Sequence, residues 1–340
     1  MGSDSRPYFS IIVPTRNRSE TLERALLGIN EQSFSEFEVI VVDDGSSAEH
    51  RERYDRVMQQ FDPRFTLRKL DRGAQGSGPS FVRNQGIAAA KGRFIAFCDD
   101  DDFWCDKEHL AVAAEALQRT PAAKFYFANQ RALRDGTVMK EQWLPALAAI
   151  AASRPAQPHQ VYPVSRRDIA CSREYAHLNT CIVDRTLIDA IGGFWERVSY
   201  WEDFDFFLRV VDRVEVALFR TDIVSVHIVP NRALQVNAST RLQTAEKLVV
   251  SVSCCQHVRA CADSPEVMEY ARQLESWGLQ NLAKTLRESG RPAAAVHFAW
   301  QALAVNITLR WLVYTLYIAL VSQLRFWLRM PAKPSRAAPH

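Results

Sequence analysis

Between residues 9 and 127, short apolar runs alternate with segments of helical period, a pattern best met by a mostly parallel sheet wrapped by helices. Strands are expected at residues 9–13, 38–42, 65–69, 94–97 and 124–127, with helices at 19–30, 47–61, 79–90 and 106–119. Ser19 reads as the cap of the first helix, and Pro79 suits a first helical turn, where its missing N–H costs nothing. The first 130 residues thus read as one doubly wound half, and a chain of 340 residues has room for a helical piece beyond it.

Three of those strands end in polar clusters. Pro14-Thr15-Arg16-Asn17-Arg18 closes the first, Asp43-Asp44-Gly45-Ser46 the second, and four consecutive aspartates, Asp99 to Asp102, follow the run Phe94–Phe97. In open α/β sheets the carboxyl ends of successive strands share one crevice, and ligands bind there. Adjacent carboxylates repel by about 1 kcal/mol per pair in water and up to about 4 at a protein-like dielectric, so a cation is expected among the four. Each cluster also has a plain reading, because Asp, Gly and Ser are ordinary turn residues and an acidic run can be a solvated loop.

Composition acts by exclusion. A hydrophobic fraction of 47% supplies a core, and the formal charge of +3 is spread along the chain without the basic block that tracks nucleic acid. Nucleic acid is therefore set aside as a partner. Seven cysteines without a CxxC pair, two of them the adjacent Cys254 and Cys255, suggest neither a disulfide framework nor a zinc site. Reduced thiols in a cytoplasmic protein are the expectation, and residues 1–7 lack the apolar stretch of a signal peptide.

From residue 131 to 173, Pro145, Pro155, Pro158 and Pro163 break the pattern, so loops and short helices are expected. Then come a short helix near 186–191, a turn at Gly192-Gly193, a helix opening near Trp201, and strands near 214–218 and 223–227. After Ala238 the chain turns helical to near the end. The expected division is a catalytic domain over residues 1–237 and a helical region over 238–340.

The segments Ile11-Ile12-Val13-Pro14-Thr15-Arg16-Asn17, Val41-Val42-Asp43-Asp44-Gly45-Ser46, Arg83-Asn84-Gln85-Gly86 and Phe97-Cys98-Asp99-Asp100-Asp101-Asp102 resemble, in order and spacing, those of the family 2 glycosyltransferases with a GT-A fold. That family transfers sugars from nucleoside diphosphate donors. The resemblance covers roughly residues 8 to 230 and implies an α/β fold: a doubly wound, mostly parallel sheet with a Rossmann-like nucleotide-binding half, here with a helical C-terminal extension. Carried over position by position, it implies that Pro14, Thr15, Asp43 and Asp44 line the nucleoside pocket. Asp43 would accept from a base N–H, an edge that uracil and guanine offer, with UDP the family's commonest donor. Arg83 would face the diphosphate, Asp99 the ribose or sugar, and Asp101 a divalent ion, Mn or Mg, which takes oxygen ligands from one or two carboxylates and substrate phosphates. A surface salt bridge is the alternative reading of Arg83.

The segment Tyr200-Trp201-Glu202-Asp203-Phe204-Asp205-Phe206-Phe207-Leu208-Arg209 has an ordinary account, since acids in a first helical turn suit the helix dipole and aromatics at helical spacing make core. The resemblance adds another. It implies that Asp203 is the base that takes the proton of an acceptor hydroxyl, that Glu202 orients the acceptor, and that a single displacement inverts the anomeric carbon. His227, closing Val224-Ser225-Val226-His227, either helps to ligate the metal or contact phosphate, or is satisfied structure; the other seven histidines show no metal spacing.

Near the C-terminus, residues 311–324 are uncharged and are flanked by Arg310, Arg325, Arg329, Lys333 and Arg336. The run is too short to span a bilayer. Two readings stand. One is an interfacial helix giving peripheral membrane contact through residues 305–330 at the inner face of the plasma membrane; the other is a helix packed on the catalytic domain or on a homo-oligomer partner. The expected activity is inverting, metal-dependent transfer from a nucleotide-sugar donor to a glycan or lipid-linked acceptor, in surface polysaccharide or lipopolysaccharide assembly. Its rivals are a sugar-phosphate nucleotidylyltransferase, which carries a glycine-rich basic loop where residues 14–18 stand, and a non-catalytic sugar-nucleotide binder.

Overall fold

The computed structural model describes residues 6–71, 76–230 and 242–329. In chain order the elements are β1 (Phe9–Thr15), α1 (Ser19–Asn30), β2 (Phe37–Asp43), α2 (Ala48–Met58), β3 (Phe65–Lys69), α3 (Pro79–Ala89), β4 (Phe94–Phe97), β5 (Phe103–Trp104), α4 (His109–Arg119), β6 (Phe125–Arg134), β7 (Thr137–Lys140), α5 (Pro145–Ala152), β8 (Val161–Ser165), α6 (Arg166–Ser172), β9 (Ile182–Asp184), α7 (Arg185–Ile191), α8 (Glu202–Asp212), β10 (Val216–Ile228), α9 (Thr244–Cys261), α10 (Pro265–Glu288), α11 (Pro292–Val305) and α12 (Leu309–Arg329).

One sheet runs in the order β3-β2-β1-β4-β9-β6-β10-β5, with β7 added to β6 and β8 to β10. The half from β3 to β4 is parallel throughout, which leaves all its carboxyl ends on one edge. In the other half β9 runs antiparallel between β4 and β6, and only β6 and β10 are parallel. Phe9, Ile11, Ile12 and Val13 of β1 are wholly buried, as expected of a strand covered on both faces. Against Phe9, Ile11 and Val13 α1 presents Leu22, Ala25, Leu26 and Ile29, the spacing of one helical face.

Two local expectations are corrected. Arg18, not Ser19, stands at the cap position of α1; Ser19 is the first helical residue, and its hydroxyl meets His50 Nδ1 at 3.0 Å. The strands expected at 214–218 and 223–227 are one strand, β10, whose register slips between Arg220 and Ile223. The polar triplet Arg220-Thr221-Asp222 looks like a turn in sequence but is held in the sheet by its side chains: Arg220 donates to Asp222 at 3.0 Å and pairs with Asp106 at 2.7 Å.

The chain falls into two compact units. The first comprises Met1–Arg241 with His257–Tyr270, and the second Leu242–Gln256 with Ala271–His340. The boundary expected at residue 237 lies outside the described residues. Within the second unit, Val252, Leu279, Ala283, Ala299, Ala302, Leu303, Trp311 and Ile318 form one apolar cluster, and Trp311 Nε1 donates to the Ala299 carbonyl at 3.0 Å.

Candidate active site

The parallel half brings its strand ends together by register. Thr15 pairs with Asp43 across β1 and β2, and β4 pairs with β1 so that its end delivers Asp99 to Asp102 to the same edge. Thr15 Oγ1 donates to Asp100 at 2.7 Å and lies 3.0 Å from the Tyr54 hydroxyl. Pro14 is half-buried in β1 opposite Val42. Asp43 is wholly buried; its carboxylate accepts the Ser46 N–H and the Arg51 Nε–H, both at 2.9 Å, so it shapes the turn after β2. Asp44 accepts the N–H groups of Ser77 and Gly78, which ties that turn to the start of α3.

The four aspartates have four different surroundings. Arg83 Nη2 donates to Asp99 at 2.7 Å. Burial pushes the Asp99 carboxyl up, but Arg83 and the two nearby imidazoles overcome it, and its pKa ends below the usual value. Arg18 Nη1 donates to Asp100 at 2.8 Å and to Asp101 at 2.9 Å. Burial still carries Asp100 up to about 7, against the pull of Arg18. Asp102 is wholly buried and accepts from the Ile228 N–H at 2.7 Å, from His227 Nδ1 at 2.9 Å and from Asn179 Nδ2. The cations expected among them are Arg18 and Arg83, while His227 serves Asp102 as a hydrogen-bond partner.

The segment Arg83-Asn84-Gln85-Gly86 has a physical reason at three positions. Arg83, 5% exposed, joins Asp99 to Glu202, whose Oε1 lies 2.9 Å from Nη1, and its guanidinium sits 5.5 Å from the Phe194 ring centre. Asn84 clamps the turn before Phe194, accepting its N–H at 2.8 Å and donating to its carbonyl at 3.0 Å. Gly86 lets α3 lie on β1: a Cβ built there would sit 2.4 Å from Ile12 Cγ2. Gly193 in that turn has φ +70, and a Cβ on it would sit 2.6 Å from Asn84 Oδ1.

Arg83 therefore connects the aspartate edge to the helix that opens with Glu202 and Asp203. Trp201, just before α8, holds a left-handed φ of +63, a strain of about 1–3 kcal/mol for a bulky residue. Phe204, Phe206 and Phe207 are wholly buried just beyond it and contribute roughly 1.5–3 kcal/mol each. Asp203 is half-buried, and its carboxylate accepts the Phe204 N–H at 2.8 Å. Burial first, then the neighbouring Glu202 charge, push it up to about 7, with Asp99 adding and Arg83 opposing. A carboxylate poised there can take up and release a proton near neutrality.

Opposite these acids stand two imidazoles. Ligand atoms of Asp102, His177 and His227 all lie within 4.8 Å of one another. The His177 and His227 rings are 4.8 Å apart, each 5.7 Å from Trp143. Burial, helped by His227, brings His177 down to about 3, so it is neutral and free to ligate. Burial pulls His227 down as well, but the Asp102 hydrogen bond and charge raise it above its ordinary value. Asp102 at Nδ1 fixes that ring with Nε2 turned away from the carboxylate, the arrangement of a metal-binding histidine backed by an acid.

Every residue singled out in the sequence thus lies at one edge of the sheet or on an element tied to it. His177, set aside for want of metal spacing, belongs with His227, and Asn179 was missed altogether. Asn179 is wholly buried, accepts the Asp99 N–H at 2.8 Å and donates to Asp102, so it sets the spacing of the aspartates. Arg18 was visible in its cluster but had no role. No local pattern marks His177 or Asn179, which reach the site from the turn before β9.

Comparison with known proteins gives the arrangement a context. Residues 10–166 match the model of glycosyl transferase family 2. The chain is 34% identical over 137 residues to the GalNAc(5)-diNAcBac-PP-undecaprenol beta-1,3-glucosyltransferase of Campylobacter jejuni, covering 40% of this chain and 42% of that one. It therefore spans less than half the length of that curated relative. Among solved structures it resembles Staphylococcus aureus TarS in complex with UDP-GlcNAc, with a TM-score of 0.63 at 18% identity over 87% of this chain and 81% of that one. It also resembles the mannosyltransferase PcManGT from Pyrobaculum calidifontis in complex with GDP-Man and Mn2+, with a TM-score of 0.56 at 18% identity over 96% of this chain and 88% of that one. At such identities these two likenesses speak for the fold, which is GT-A.

Proposed function

We propose that this chain, which belongs to glycosyl transferase family 2, moves a sugar from a nucleoside diphosphate donor to a hydroxyl of a glycan or lipid-linked acceptor with inversion at the anomeric carbon. The observation that carries the reading is the Arg83 bridge, which joins Asp99 at 2.7 Å to Glu202 at 2.9 Å and so sets a buried cation between the aspartate edge and the helix bearing Asp203. UDP is the proposed donor nucleotide, in keeping with the UDP-GlcNAc held by TarS, and the lipid-linked acceptor follows the undecaprenol-linked substrate named for the Campylobacter enzyme. Surface polysaccharide or lipopolysaccharide assembly at the inner face of the plasma membrane is the proposed setting.

Pro14, Thr15, Asp43 and Asp44 line the nucleoside end of the edge. Arg51 and the Ser46 N–H already occupy Asp43, so its base contact would use the remaining lone pairs of a carboxylate fixed in direction. Arg83 then faces the diphosphate, and a guanidinium pairs well with two phosphate oxygens. Asp203 takes the acceptor hydroxyl's proton, the oxygen bonds to the anomeric carbon from the face opposite the leaving group, and the carbon–oxygen bond to the diphosphate breaks. Glu202, held by Arg83, orients the acceptor. The nucleoside diphosphate leaves with the bond pair.

A divalent ion fits the residues present. Asp101 and His227 are the proposed ligands; Asp102 backs the His227 ring, and the neutral His177, whose ligand atom lies within 4.8 Å of those of Asp102 and His227, adds a further nitrogen. Such an ion would supply positive charge to the diphosphate oxygens as they leave. Arg18 now fills that need on Asp101, so its guanidinium would have to share or yield Asp101 to an ion.

The decisive experiment is Asp203→Asn. Transfer should fall by roughly 10²- to 10⁴-fold while UDP affinity by calorimetry stays within about twofold. In the parent, kcat should rise with pH through about 7, because the base must be ionised. Stability carries an independent signature. A folded pKa near 7 against about 4 unfolded means that the fold binds the extra proton, so this residue's contribution declines as pH rises from 4 to 7. The melting temperature of the Asn variant should lack that decline. Equal turnover by parent and variant would favour the non-catalytic binder.

A further inference from the structure

We propose that the outward face of α12 docks on an anionic lipid bilayer. The helix has two apolar faces. Trp311, Thr315 and Ile318 are buried in the second unit. On the other side Leu309, Val313, Leu316, Tyr317, Leu320 and Leu324 follow one another at helical spacing and are between 51% and 77% exposed. A continuous apolar stripe of this kind is rarely left in water and marks a surface that something covers.

Charge tells what covers it. After Glu288 the sequence holds no acidic residue, while Arg291, Arg310, Arg325, Arg329, Lys333 and Arg336 are all cationic. A second copy of the chain would bring the same cations against these, and like charges would oppose the contact. An anionic surface meets them with the opposite sign, and it offers the hydrocarbon that the leucines need. Arg287 of α10 stands 5.3 Å from the Tyr317 ring centre and 5.8 Å from that of Tyr314, so a cation edges the same face, with tyrosines at the level where headgroups meet acyl chains. No helix among the described residues is long and apolar enough to cross a membrane, so α12 would lie in the interface plane.

The proposal rests on the proposed function only for its use, since a lipid-linked acceptor is met at such a surface. Its test reads binding, so it can fail separately. The full chain is sedimented with phosphatidylcholine vesicles, with and without phosphatidylglycerol. Binding should require phosphatidylglycerol and weaken with added salt. Leu316→Glu combined with Leu320→Glu, both at exposed positions, should lower the bound fraction at least about tenfold with an unchanged melting temperature. Absence of binding, or binding that ignores the variant, overturns the proposal. So does a parent that elutes as a dimer which the variant dissociates, since a second copy would then own the face.

Discussion

The two halves of the sheet hold their polar groups in contrasting ways. From β3 to β4 each group sits at the end of a parallel strand, and its position follows from register, as with Thr15 opposite Asp43. From β9 to β5 the strand directions are mixed, and the groups come from connections and element ends: His177 and Asn179 before β9, Glu202 and Asp203 in the helix after the glycine turn, and His227 near the end of a strand whose register slips. The first arrangement is redundant, with Asp100 held by both Thr15 and Arg18. The second depends on single buried contacts that reach across the fold, so its parts should be more sensitive to substitution.

Arg83→Ala should break that contrast most severely, because one guanidinium serves both halves. Removing it leaves Asp99 and Glu202 facing each other with no cation between them, at a cost of up to about 3 kcal/mol once their partial exposure is allowed for. Urea unfolding checks the stability, and UDP calorimetry should show weakened binding as well. A loss in only one of the two readouts would assign Arg83 to only one half.

Asn179→Ala tests a side chain that the second half supplies to the aspartates at the end of β4. It strips the buried Asp99 N–H of its acceptor and Asp102 of a donor, so about 1–3 kcal/mol should be lost. If the proposed ion site is correct, the Mn2+ concentration that supports donor binding should shift upward, because Asp102 no longer holds the His227 ring as firmly. Loss of stability with an unchanged Mn2+ requirement would separate Asn179 from ion binding.

Thr15→Val is the matching test in the first half and should give the smallest effect. It removes the hydroxyl's bonds to Asp100 and Tyr54 while keeping the side-chain shape, and the Arg18 bonds to both partners and the strand register remain, so a loss of roughly 0.5–1.5 kcal/mol is expected. A loss as large as that of Asn179→Ala would erase the difference between the halves.

The first half was legible because its signals are periodic and local: apolar runs at β1, β2, β3 and β4, then turn residues. Even there the cap of α1 was assigned one residue late, since a serine before a helix is a strong signal and Arg18 is not. Four short strands beyond the first half had no such signature, and β10 was read as two strands. β5, β7, β8 and β9 run for two to five residues each, and β10 carries a polar triplet in mid-strand, so their pairing depends on partners distant in sequence. In the site, acids and Arg83 declared themselves by type and order; Asn179 and His177 are ordinary residues until the fold puts them beside Asp102.

Sequence alone determined the α/β architecture, the edge where the strand-end clusters gather, and the chemistry available there, because periodicity and residue type are properties of neighbours along the chain. Tertiary structure decided which acid faces which basic side chain. It set Arg18 on Asp100 and Asp101, Arg83 between Asp99 and Glu202, and His227 on Asp102, and by burial it raised Asp203 to about 7. Those outcomes depend on desolvation and on distances between segments up to 126 residues apart, and neither exists until the chain has packed.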